Sequence, residues 1–112
     1  MRTYSNKAFH KKQPNSSMFH EDRKDMSEKA LDIKRAMDSI KEELEATDWY
    51  NQRIEACTDE NLKKILIHNA NEEKEHTAML IEWLRQNDKD LDKEFQEYLF
   101  SKEKDLTKIE EK

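Results

Sequence analysis

Residues 58–86 read TDENLKKILIHNANEEKEHTAMLIEWLRQ, and the spacing of the apolar positions in this stretch decides the fold. Leu62, Ile65, Leu66, Asn69, Glu73, His76, Leu80 and Trp83 recur at steps of three and four, so they share one face of a helix. Thr58 reads as its N-cap, because Asp59 and Glu60 then place carboxylates at the positive end of the helix dipole. The helix runs to about Gln86, where Asn87 and Asp88 supply a stop. The same period precedes it. Ile33, Met37, Ile40, Leu44, Thr47, Tyr50 and Ile54 mark a helix of roughly 28 residues, with Ser27 as N-cap and an end near Cys57 to Asp59. So short a break between two long helices predicts an antiparallel hairpin.

Polar residues interrupt both apolar stripes. Glu73 and His76 stand three apart in the second helix, carboxylate beside imidazole, with Glu72 close to the same line. Glu43 falls in register with Ala36, Ile40, Thr47, Tyr50 and Ile54 in the first. Glu43 lies 15 residues before Thr58 and Glu73 lies 15 after it. At about 1.5 Å of rise per residue, each stands roughly 22 Å from the turn, and the hairpin brings Glu43, Glu73 and His76 to one height. Burying carboxylates without a counter-charge is costly, so a cation should meet them, either a metal ion or, less specifically, Lys or Arg. Carboxylates with one imidazole suit iron or manganese. Di-iron carboxylate bundles take one Glu from each of two helices and a Glu-x-x-His from each of the other two. This chain offers half of that set. A two-fold dimer of hairpins supplies the rest, together with the missing core of a four-helix bundle.

The remainder of the 112 residues is consistent with that plan. A shorter helix is expected from about Asp90, with Leu91, Phe95, Tyr98 and Leu99 on one face. Residues 1–26 read as an irregular N-terminal extension broken at Pro14, Asn15, Ser16 and Ser17, residues 27–100 as the hairpin with its third helix, and 101–112 as a mobile tail. The chain has no glycine, which argues against Gly-rich phosphate loops and dinucleotide fingerprints. Only 34% of it is hydrophobic, against about 45–50% in average globular chains, so the core is borrowed from a partner or part of the chain is unfolded. Acidic and basic residues interleave around a net charge of −5, the pattern of a solvated helical face and not of a nucleic-acid surface. The single Cys57 cannot form an internal disulfide, and no run approaches the roughly 20 apolar residues of a membrane span. A cytoplasmic protein is expected, with no nucleic-acid or membrane partner.

Two blocks carry a resemblance. Residues 42–53, EELEATDWYNQR, and residues 72–85, EEKEHTAMLIEWLR, within a similar stretch from Met37 to Phe100, closely resemble the encapsulated ferritins. The resemblance implies an all-α subunit, an antiparallel two-helix hairpin plus a short C-terminal helix, that dimerises into a ferritin-like four-helix bundle and assembles further into a decameric ring. It implies a ferroxidase that oxidises iron(II) with O2 at a di-iron centre shared across the dimer, two irons per interface. Residue by residue, Glu43, Glu73 and His76 match the ferroxidase ligands and Tyr50 matches an aromatic beside them. Glu42, Glu45 and Trp49 match the acidic, aromatic-flanked site by which iron approaches, which also takes calcium or another divalent ion. The resemblance further implies an encapsulin shell as partner and a place inside that nanocompartment, where the iron is stored. The end of the chain departs from the pattern: Ser101 to Lys112 is charged and lacks the Gly- and Leu-containing targeting signal of such cargo.

Two other readings compete. A rubrerythrin-like peroxide reductase uses a similar bundle, but one cysteine cannot build its rubredoxin-type iron site. A non-enzymatic helical oligomerisation module would use the same Glu and His residues as interface ion pairs.

Overall fold

A computed structural model describes residues 19–110. Among these every regular element is helical: a 3-10 turn at Arg23–Asp25, then α1 (Glu28–Ala56), α2 (Glu60–Asn87), α3 (Lys89–Tyr98) and the single turn α4 (Thr107–Glu110). The larger part of the N-terminal extension, residues 1–18, and the last two residues of the tail lie outside the described residues.

Local chemistry sets the boundaries. Ser27 has extended backbone and its hydroxyl accepts the Ala30 amide at 3.0 Å, which opens α1 as expected. The cap of α2 is Asp59 and not Thr58: its carboxylate accepts the Leu62 amide at 2.8 Å. The shift by one residue has a physical reason, since a carboxylate is the better acceptor and adds a favourable charge at the dipole's positive end. Cys57, Thr58 and Asp59 are then the whole connection. Asp88 ends α2 and also caps α3 through a 3.0 Å bond from the Leu91 amide, so the corner contains no spare residue.

α1 and α2 pack along their length as the antiparallel pair. Their seam is lined by small or slender residues, with Ala36, Ala46, Ala70 and Thr77 buried and Leu31 and Leu84 nearer the ends. Alanines let the helix axes approach closely but bury little apolar area. Among the described residues no large side chain is fully buried, while Leu44, Ile65 and Met79 are each more than half exposed. The radius of gyration is 17.8 Å, against about 13 Å for a compact chain of this length. The hairpin is a flat slab without a closed core. α3 packs on α2, and α4 returns near Tyr98 with Ile109 buried. No described helix is long and apolar enough to cross a membrane.

Candidate metal centre

Midway along the hairpin, α1 contributes Glu43 and the facing turn of α2 contributes Glu73 and His76. One ligand atom from each lies within 4.8 Å of the other two. His76 Nδ1 is 3.3 Å from Glu43 Oε1 and 3.6 Å from Glu73 Oε1. The three residues expected to share a height therefore converge. The Glu43 and Glu73 side chains are 20% and 15% exposed, enough burial to weaken their hydration, while His76 keeps one side open to solvent.

The electrostatics follow from this crowding. Burial raises the Glu43 pKa above its ordinary value, and the hydrogen bond and charge of Glu73 add to the rise. His76 opposes it. For His76, desolvation pulls the pKa down. The Glu43 hydrogen bond outweighs that, together with the charges of Glu43, Glu73 and Glu72, and the net shift is upward. Among the described residues the ion-pair partner of Glu43 is His76, not Lys or Arg. Nδ1 faces two carboxylates, which favour the protonated imidazole. In the neutral tautomer that leaves Nδ1 unprotonated, its lone pair points to the side on which Glu43 and Glu73 lie. Two carboxylates and one imidazole, with no thiol, form a hard donor set that fits iron or manganese.

Beside the centre, Glu42, Glu45, Trp49, Tyr50, Arg53 and Glu73 line an open groove of about 300 Å³. Glu42, Glu45 and Trp49 are thus together, and Tyr50 shares their groove with Glu73. The Arg53 guanidinium lies 5.5 Å from the centroid of the Tyr50 ring. Sequence reasoning assigns Arg53 no role, nor does it single out Thr77, a buried polar residue whose hydroxyl bonds the Glu73 carbonyl. Its position four residues after Glu73, matching Thr47 after Glu43, is the signal that could have found it.

Comparison with known proteins agrees with this architecture. The profile of the EncFtn-like family matches residues 18–102. A ferritin-like protein of Thermotoga maritima is 46% identical over 96 residues, 86% of this chain and 83% of that protein. An encapsulated ferritin-like protein of Rhodospirillum rubrum is 47% identical over 95 residues, 85% of this chain and 67% of the other. A crystal structure of a Nitrosomonas europaea protein superposes with a TM-score of 0.73 at 50% identity, covering 76% of this chain and 93% of that one. The helical hairpin is ferritin-like, and the chain belongs to the EncFtn-like family.

Proposed function

We propose that this chain is one half of a ferroxidase: two copies join across the open side of the hairpin and hold a pair of irons between them. The observation that carries the reading is the convergence of Glu43, Glu73 and His76, half of a di-iron carboxylate set, on a face with exposed apolar neighbours. The R. rubrum relative is described as encapsulated and ferritin-like, which supports iron as the substrate and an encapsulin shell as the partner and compartment. A decameric ring is the assembly this reading expects.

The chain's residues divide the work. Glu42 and Glu45, flanked by Trp49, attract iron(II) to the groove, where calcium or another divalent ion can also sit. Glu43, Glu73 and His76 would hold the iron, and because imidazole binds a metal through an unprotonated nitrogen, any proton on Nδ1 would have to leave as iron binds. When bound, the iron pair supplies two electrons to dioxygen as each iron(II) becomes iron(III), and the anionic carboxylates favour the higher charge. Tyr50, in the same groove as Glu73, stands beside the centre.

The test is an anaerobic iron(II) titration followed by oxygen, on wild type and on Glu43→Ala, Glu73→Ala and His76→Ala. About one iron per chain is expected, with rapid oxidation that each variant loses. Unchanged oxidation in all three would sink the reading. Assembly that persists while iron binding is absent in wild type would favour the non-enzymatic oligomerisation module, in which His76 and Glu43 form only an ion pair.

A further inference from the structure

Two threonines occur within the long helices, and each stands four residues after a glutamate of the centre. Thr47 Oγ1 donates to the Glu43 carbonyl at 2.8 Å, and Thr77 Oγ1 donates to the Glu73 carbonyl at 3.0 Å. The two residues lie on opposite sides of the centre. Because the helices are antiparallel, Thr47 is one turn nearer the connection at Cys57 to Asp59, and Thr77 is one turn farther from it. Each hydroxyl therefore reaches back toward the height of the carboxylates.

A hydroxyl turned back onto the preceding turn does two things. It gives that carbonyl a second donor beside its helical amide, which tilts the peptide and bends the helix slightly. It also fixes χ1 of a β-branched side chain and lays that side chain over the turn carrying the glutamate. Such a bond gains little stability in mid-helix, and threonine is a poor helix former. Thr77 is moreover 9% exposed, in a seam otherwise filled by alanine and leucine. A buried hydroxyl where alanine would pack and propagate better indicates a local job.

We propose that Thr47 and Thr77 are positioning residues, a matched pair of back-bonded hydroxyls that set the backbone under Glu43 and Glu73 and so the separation of their carboxylates. The inference rests on the reading of the centre as a metal site. Outer groups that orient ligands change metal affinity by about 10–100-fold when removed, so an effect near the lower end is expected for a bond to the ligand's backbone.

Cobalt(II) is the probe, since its visible absorption reports coordination geometry and its titration gives affinity without turnover. Thr47→Val and Thr77→Val keep the shape and delete the hydroxyl, while Thr47→Ser and Thr77→Ser keep the hydroxyl. In the assembled protein, the double valine variant should bind cobalt(II) about tenfold more weakly with an altered visible band, and the double serine variant should restore both. Circular dichroism of the metal-free proteins checks folding. Should a valine variant not fold, alanine replaces it with the same expectation. Wild-type affinity and spectrum in the valine variants overturn the inference, as does a serine variant no better than valine. Glu43→Ala separates this from the parent reading. If it too binds cobalt(II) as wild type does, the metal site itself is wrong; if it alone loses cobalt(II), only the role of the threonines is.

Discussion

Glu43 shows what the centre costs the metal-free chain. Its carboxylate is mostly buried against that of Glu73, and both burial and the facing charge disfavour its ionised form. Replacing it with Gln removes one charge and keeps the shape. The metal-free Glu43→Gln protein should therefore be the more stable one, by on the order of 0.5 kcal/mol or a few degrees in Tm, while lacking the thermal shift that the proposed iron site should give wild type on adding iron(II). Calorimetry with and without iron(II) checks this, and a variant that is both less stable and still stabilised by iron(II) contradicts it. At this scale much is legible in the sequence. Equal counting from Thr58 brings Glu43 and Glu73 to one height whichever of Thr58 and Asp59 caps α2, because height depends on rise per residue and not on cap identity. The threonines' hydrogen bonds are not legible, because a hydroxyl in an apolar stripe can turn to solvent, to a neighbour or back onto its own helix.

Helix ends illustrate the same division between pattern and competition. Ser27 is readable because no better acceptor lies beside it, whereas Thr58 and Asp59 compete for one role and the charged group wins. Asp59→Ala should cost about 1 kcal/mol by denaturant unfolding, and Thr58→Ala only a few tenths. Equal losses would count against Asp59 as the cap. Ile109 reads only as an aliphatic in a charged tail, because its burial depends on a return of the chain past Tyr98 that no local period encodes. The α2–α3 corner has a separate device. Arg85 bonds Glu82 through Nε at 2.8 Å and Nη2 at 2.9 Å, and reaches Asp92 of α3 through Nη1 at 2.6 Å. Hydrogen bonds from Arg85, and then from Gln86, lower the Glu82 pKa to about 2, and those from Arg85 and Gln96 lower that of Asp92. A carboxylate whose folded pKa lies below its unfolded one stabilises the fold above the unfolded value, near 4.5 for Glu82, and the contribution is lost as pH falls toward 2. These groups are solvent-exposed and screened, so the effect should be local. Asp92 is the carboxylate that joins Arg85 to α3 and its pKa is lowered from 3.8, so carbon chemical shifts of α3 should show its docking loosen as pH falls below that value, while Arg85→Gln should show no such step. Matching acid profiles in the two proteins would refute the clamp.

At the scale of the whole molecule, the proposed shared centre gives the flat slab and the Glu43, Glu73 and His76 cluster one explanation. A hairpin whose seam is largely alanine buries too little apolar surface to hold two long helices on its own, since an alanine contributes one methyl group where leucine contributes a branched chain. The larger side chains are present but stand outward. Ile65, 56% exposed, shares the helix face of Glu73 and His76. On the proposed reading a second copy covers that face, and the covering completes the core and the ligand set together. Binding that exists only in the assembled state must then favour assembly, by RT ln(1 + [L]/Kd), about 2.7 kcal/mol at a hundredfold excess of ligand over Kd. Two outcomes are expected from this coupling. Iron(II) should shift the mass distribution of wild type toward larger species, and Ile65→Asp should shift it toward monomer by placing a charge where the interface excludes water. Removing a central apolar anchor from an interface costs about 2–4 kcal/mol, which is roughly 30- to 1000-fold in dimer affinity. The variant leaves Glu43, Glu73 and His76 intact, so its iron binding is the decisive measurement. At a concentration where it is monomeric it should bind iron(II) far more weakly than wild type, and raising its concentration should restore both mass and binding in step. Full iron affinity in a monomeric Ile65→Asp protein would mean that one hairpin suffices, and the shared centre would have to be abandoned.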